Sequence, residues 1–211
     1  MVFVRSRALA LRRAKALLQT FLHIQLILLT FTPMMSIVFC PGFHSPSLTE
    51  NFITSLYFIP KNNIFIFPTE KYPPYGGLQI LKFMIKNIKL TQPVLLISFS
   101  AGVVGAISSA YLWQILGGKI TALIAIDGWG VPLMSNFPIY RLSHDYFTHW
   151  SSNLLGSGKS SFYANPPVAH LQMLTNPDHI QGWCIENNGI KINTTVTKYI
   201  KLLLQEHETL N

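Results

Sequence analysis

Pro93-Val94-Leu95-Leu96-Ile97-Ser98-Phe99-Ser100-Ala101-Gly102 drives a short apolar run into a cluster of small residues. Pro93 to Ile97 is rich in β-formers and bounded by Gln92-Pro93, so it reads as a buried strand. Val103 to Leu116 is apolar all round and carries Gly105, Ala106, Ser108, Ser109 and Ala110, the pattern of a helix packed against a sheet. Between strand and helix, Ser100 sits on a turn that leaves space only for small neighbours.

Ser98, Ser100 and Gly102 have the small-x-Ser-x-Gly spacing of a strained strand-to-helix turn that presents a serine hydroxyl. The helix N-terminus behind it aims unpaired N–H groups at any oxyanion formed there. This stretch resembles the nucleophile elbow of the α/β-hydrolase superfamily, with Ser98 where the first glycine usually stands. The resemblance implies an α/β fold, a three-layer sandwich with a mostly parallel central sheet, and a serine-dependent acyl hydrolase of the esterase, lipase or thioesterase type. It also implies an oxyanion hole from the N–H groups of Ala101 and Phe43, the latter in the loop Pro41-Gly42-Phe43-His44.

Outward from the elbow, strand-like and helix-like runs alternate. Ser36–Cys40 and Ile64–Phe67 read as strands; Ser47–Leu56 and Leu78–Ile88 read as helices, the first with a capping-box pattern at Ser47 and Glu50. Ile120–Ile126 is a further buried strand ending at Asp127. Such alternation predicts βαβ units whose functional groups gather at the carboxyl ends of the strands. Residues 128–166 read as a long loop or small lid, Val168–Leu174 and Ile180–Ile185 as the last strands, and Thr194–Glu206 as a closing helix.

Composition bounds the rest. Of 211 residues, 49% are hydrophobic and 11% charged, which predicts a heavily buried domain over 35–211. Most of the net charge of +8 lies in residues 1–49, which hold Arg5, Arg7, Arg12, Arg13 and Lys15 and no acidic residue. No basic cluster interleaved with aromatics follows, so nucleic acid is not an expected partner. Residues 1–34 read as a basic and apolar extension: a targeting segment, a membrane-surface anchor, or a stretch preceding a true start at Met34 or Met35, the last being preferred. The expected location is cytoplasmic, or membrane-associated or exported if that extension is used. Cys40 and Cys184 read as buried, reduced hydrophobes.

A serine nucleophile needs a base and a carboxylate to orient it. Asp127 is the preferred acid, because it ends a strand and is the first carboxylate after the elbow. Capping the Gly128-Trp129-Gly130 turn is the plainer use of such an aspartate. Asp178 fits the position commoner in the superfamily, but no histidine lies between Ile185 and Thr195, and His179 adjoins Asp178 too closely. Among histidines after Asp127, His144 is the expected base and His149 the alternative, an order similar to the compact cutinase-type branch. His170, inside a strand-like run, reads as a core histidine, and His44 precedes the elbow and stays outside the triad.

The expected substrate is a small-molecule or lipid-like acyl compound, its pocket walled by aromatics such as Trp129, Phe137, Tyr140, Tyr146, Phe147 and Trp150. No cofactor is expected, and no His/Cys/Asp/Glu cluster has metal-ligand spacing. Gly156-Ser157-Gly158-Lys159-Ser160 ends like a phosphate-binding loop, but Asn153 stands where that motif needs glycine and no strand precedes it. The alternative to an enzyme is an inactive, hydrolase-like binding or membrane-associated module.

Overall fold

Each apolar run pairs with its neighbours as repeated βαβ units require. The computed structural model describes residue 19 and residues 35–208 except 187. Eight strands form one sheet: β1 (Ser36–Cys40), β2 (Ile64–Ile66), β3 (Val94–Phe99), β4 (Ile120–Ile126), β5 (Ile139–Ser143), β6 (Ser160–Ala164), β7 (Gln181–Glu186) and β8 (Lys191–Thr195). Their spatial order is β2-β1-β3-β4-β5-β6-β7-β8. The pairs from β2 to β6 are parallel, and β7 and β8 close the sheet antiparallel. Six helices are described: α1 (Pro46–Ser55), α2 (Gly77–Asn87), α3 (Gly102–Ile115), α4 (Tyr146–Asn153), α5 (Gln172–Thr175) and α6 (Val196–Glu208). The chain is an α/β protein.

The period of two along the strands sorts side chains into two cores. Phe39, Leu95, Ile97, Phe99 and Ile124 face Phe52 of α1 and Ile200 and Leu203 of α6. Val38, Cys40, Leu96 and Leu123 face Ile80 and Met84 of α2 and Val103, Ala106 and Trp113 of α3. Both faces of β3 and β4 are buried, which is why they read as apolar runs broken only by Ser98 and Thr121.

Four expectations are corrected. The span 128–166 is no lid, because it holds β5, α4 and β6. Those strands carry Tyr140, Arg141, Ser143 and Ser161, which break the apolar run while remaining buried. Arg141 is tolerated inside because its guanidinium donates to the carbonyls of Val131, Leu155 and Gly156. Val168–Leu174 is not a strand but a loop leading into the single turn of α5. Pro166 and Pro167 remove two ladder donors, and Ala169 and Gln172 bond each other locally. The Ser47–Glu50 capping box does not form: α1 starts one residue earlier at Pro46, which fits a first turn, and Ser47 Oγ shares a hydrogen bond with Ser45 Oγ. The closing helix begins at Val196, since the residues before it complete β8.

Cys40 and Cys184 are free and buried. The extension read over 1–34 lies outside the described residues. No described helix is long and apolar enough to cross a membrane.

Candidate active site

Ser100 is the residue at which β3 turns into α3, and its φ of 53° lies in the left-handed region. A non-glycine residue there is held by its surroundings against a local cost. Ser100 N–H donates to Ile126 O at 2.8 Å, and Val103 N–H to Ser100 O at 3.0 Å, so the turn is tied to β4 on one side and to α3 on the other. Two glycines make room. A Cβ at Gly102 would strike the carbonyl oxygens of Cys40 and Pro41, and one at Gly42 would stand 2.9 Å from Ser100 Cβ. Ser98 fits the place of the usual glycine, because its hydroxyl donates to Ile124 O at 3.3 Å within the sheet.

Ala101, with αR backbone angles, lies between Ser100 and the first residue of α3. Phe43 follows Gly42 in the loop after β1, beside the same turn, and its ring is exposed. The two residues follow the carboxyl ends of the adjacent parallel strands β3 and β1.

Asp127 ends β4, the strand next to β3. Its own φ is 51°, and its N–H is held by Leu142 O at 2.8 Å. The carboxylate is 1% exposed. Oδ1 accepts the backbone N–H of His144 at 2.9 Å, and Oδ2 accepts two ring N–H groups, from His144 Nδ1 at 3.0 Å and His170 Nδ1 at 2.8 Å. An ionised carboxylate only accepts, so both imidazoles carry hydrogen on Nδ1. Burial alone would raise the Asp127 carboxyl, but the bonds from His144 and His170 and the His144 charge together hold it below its usual value.

The two imidazoles differ in their second nitrogen. His144 Nε2 lies 3.5 Å from Asp145 Oδ2, so this ring stands between two carboxylates. The Asp127 hydrogen bond, opposed by burial and aided by the charges of Asp127 and Asp145, raises its pKa. Among the described residues His170 pairs with one carboxylate, Asp127, and its ring packs on Phe99, the residue before Ser100, with centroids 4.6 Å apart and planes at 30°. The loop that carries His170 is anchored by Val168 N–H on His144 O at 3.0 Å.

Ser100, Ala101, Asp127, His144 and His170 line one cleft of about 530 Å³. Val104, Trp129, Val131 and Phe147 form its apolar wall, and Trp129 is fixed by its Nε1–H donating to Ser151 Oγ at 3.0 Å.

Other sequence candidates lie elsewhere. His149 is buried on α4, its Nε2 against Asn153 at 3.2 Å and its ring against Tyr163, away from Asp127. Burial and then the Lys191 charge lower its pKa. Phe137 and Tyr140 belong to the two cores, and Tyr146 and Trp150 lie outside the cleft lining. Asp178 and His179 are exposed in the turn before β7. Gly156 and Gly158 make a left-handed turn, and Lys159 pairs with Glu206. His44 contributes Nε2 to Thr49 Oγ1 at 2.9 Å and sets its ring edge-on to Phe99.

Sequence reading missed the placement of His170. Its only signal was a histidine after the last parallel strand, hidden by the mistaken strand over 168–174. The ligand-type atoms of Asp127, His144 and His170 lie within 4.8 Å of one another, a convergence that spacing along the chain does not reveal. In this structure they satisfy each other by hydrogen bonds. No family model matches the chain, and no curated protein matches it.

Proposed function

We propose that the chain is a serine hydrolase of the α/β-hydrolase type, acting on esters or thioesters with an apolar acyl group. The observation that carries this reading is a serine at φ 53° in the same cleft as a buried carboxylate that orients imidazole rings. Strain at the turn, a buried acid and an imidazole each have bland explanations singly. Their convergence at the carboxyl ends of adjacent strands favours nucleophilic chemistry.

Ser100 Oγ attacks the acyl carbon while its proton passes to Nε2 of an imidazole held on Asp127. His170 is assigned this role in place of the expected His144. Its Nδ1–H is fixed by Asp127, no second carboxylate among the described residues pairs with it, and its ring packs on the residue preceding Ser100. Asp127 holds the tautomer and stabilises the imidazolium that forms. The N–H groups of Ala101 and Phe43 receive the oxyanion. The carbon–leaving-group bond then breaks, the leaving group takes the proton from His170, and acyl-Ser100 remains. Water attacks that ester, gives its proton to His170, and Ser100 departs with the proton returned.

Val104, Trp129, Val131 and Phe147 make the apolar wall against which the acyl group lies. The test is pre-steady-state release of p-nitrophenol from p-nitrophenyl esters. A burst of about one equivalent, absent in Ser100→Ala, supports an acyl-enzyme. No turnover in either favours the inactive binding module, and equal turnover in wild type and Ser100→Ala rules out Ser100 as the nucleophile.

A further inference from the structure

A serine triad uses one imidazole on its carboxylate. Here one oxygen, Asp127 Oδ2, receives two, with ring centroids 5.8 Å apart and planes at 76°. We infer that His144 is a positioning residue which acts through Asp127: it fixes the carboxylate by a backbone and a ring N–H and, bracketed by Asp127 and Asp145, weakens the hold of the base on its proton. This rests on the proposed serine hydrolase function.

Three observations carry it. His144 grips both carboxylate oxygens at once, Oδ1 through the backbone and Oδ2 through the ring, which leaves Asp127 one orientation. Asp145 Oδ2 lies 3.5 Å from the other edge of the ring, and Asp145 is itself held, because its Oδ1 caps α4 by accepting Thr148 N–H at 2.6 Å. His144 O then holds Val168 N–H in the loop that leads to His170. One residue thereby sets both the acid and the approach of the second imidazole.

The electrostatic consequence follows from the charges that face the pair. They are Asp127 from β4, Asp145 before α4, His44 from the loop after β1, and the two imidazoles themselves. A ring between two carboxylates favours its charged form. When His144 is in its charged form and the base takes the Ser100 proton, two positive charges meet on the same carboxylate and oppose each other. The carboxylate oxygen is also shared, so less of its density reaches the base. Both effects make the base release its proton more readily to the leaving group.

The experiment measures the rate of fluorophosphonate labelling against pH for the full chain and for His144→Phe, His170→Phe, Asp145→Asn and Ser100→Ala, with circular dichroism to check folding. The aromatic substitution keeps ring volume without donor or charge. The acid limb of His144→Phe is expected to move up by about one pH unit, a tenfold change in proton affinity. Its alkaline plateau falls by about threefold to tenfold, the range of one net hydrogen bond. Asp145→Asn keeps a capping oxygen and removes one bracketing charge, so its limb moves the same way by less.

A lowered plateau with an unmoved limb in both variants overturns the inference, because a merely structural role predicts that. Loss of labelling in His144→Phe with retention in His170→Phe also overturns it, by making His144 the base. Labelling of Ser100→Ala as fast as wild type, or none of the wild type, removes the hydrolase reading and this assignment with it.

Discussion

His170 Nδ1 lies 2.8 Å from Asp127 Oδ2, although 43 residues and two strands separate them along the chain. The relationship places an imidazole on a buried acid in the cleft that Ser100 lines. Removing the acid therefore costs more than removing one charge. Asp127→Asn presents a carboxamide to two ring N–H donors, and one ring must turn or change tautomer. Esterase activity is expected to fall by about 10⁴-fold with the fold retained. A loss of less than tenfold would show that the imidazole needs no orienting acid.

Backbone space at the elbow sets a second expectation. Gly102→Ala drives a methyl into the carbonyls of Cys40 and Pro41, which belong to β1 and the loop after it and cannot swing aside. The variant is expected to lose about 3 kcal/mol in urea unfolding and to lose activity even where it folds. Unchanged stability would mean that the close approach of β1 and α3 is not maintained in solution.

Trp129 tests the acyl wall. It is 63% exposed and pinned to Ser151, so its truncation leaves the core intact while opening the cleft. Trp129→Ala is expected to lower kcat/KM for octanoyl esters about tenfold and to leave acetyl esters much less affected. Equal losses on both would place the acyl group elsewhere.

Stability against pH follows from the same pair. His144 is raised, by the Asp127 bond first, so its stabilisation is complete below about 6.5 and is lost as pH rises through its folded value. Asp127 is lowered, so its share is present above about 3.8 and is lost as pH falls through its folded value. His44, His149 and His207, lowered chiefly by burial, act in the opposite sense around neutrality. The stability difference between wild type and His144→Phe cancels them. Urea titrations should find that difference widest near about pH 5.5 and narrower by about pH 9. A difference independent of pH would remove the charged pairing.

The residues that made the architecture legible were those in strands buried on both faces. β1, β3 and β4 are buried throughout and apolar apart from Ser36, Ser98 and Thr121, and the small residues from Ser98 to Gly102 mark the turn that follows β3. Ser100 and Asp127 were readable because each ends such a strand. β5 and β6 were not, because their inward polar groups are satisfied by partners far along the chain, as with Arg141 and the carbonyls of Val131, Leu155 and Gly156. Losing those strands hid the loop after β6 and with it His170. The pairing of two histidines on one acid depends on three separate loops, and sequence spacing holds no trace of it.

Arg141 yields a further expectation. Burial lowers its guanidinium to about 10, and no carboxylate pairs with it. Arg141→Met leaves the carbonyls of Val131 and Gly156 short of a donor, while Leu155 O keeps the N–H of Leu133, and is expected to cost about 3 kcal/mol in urea unfolding, with no rescue by Arg141→Lys, whose single ammonium cannot span the fork. A neutral Arg141→Met would show that water replaces the guanidinium.

The central claim is that Ser100 is a nucleophile served by the imidazole on Asp127. Mapping the fluorophosphonate adduct by tandem mass spectrometry tests it most directly. The account predicts one adduct, on Ser100, lost in His170→Ala and kept in His149→Ala. An adduct on another residue, or undiminished labelling of Ser100 in His170→Ala, would contradict it.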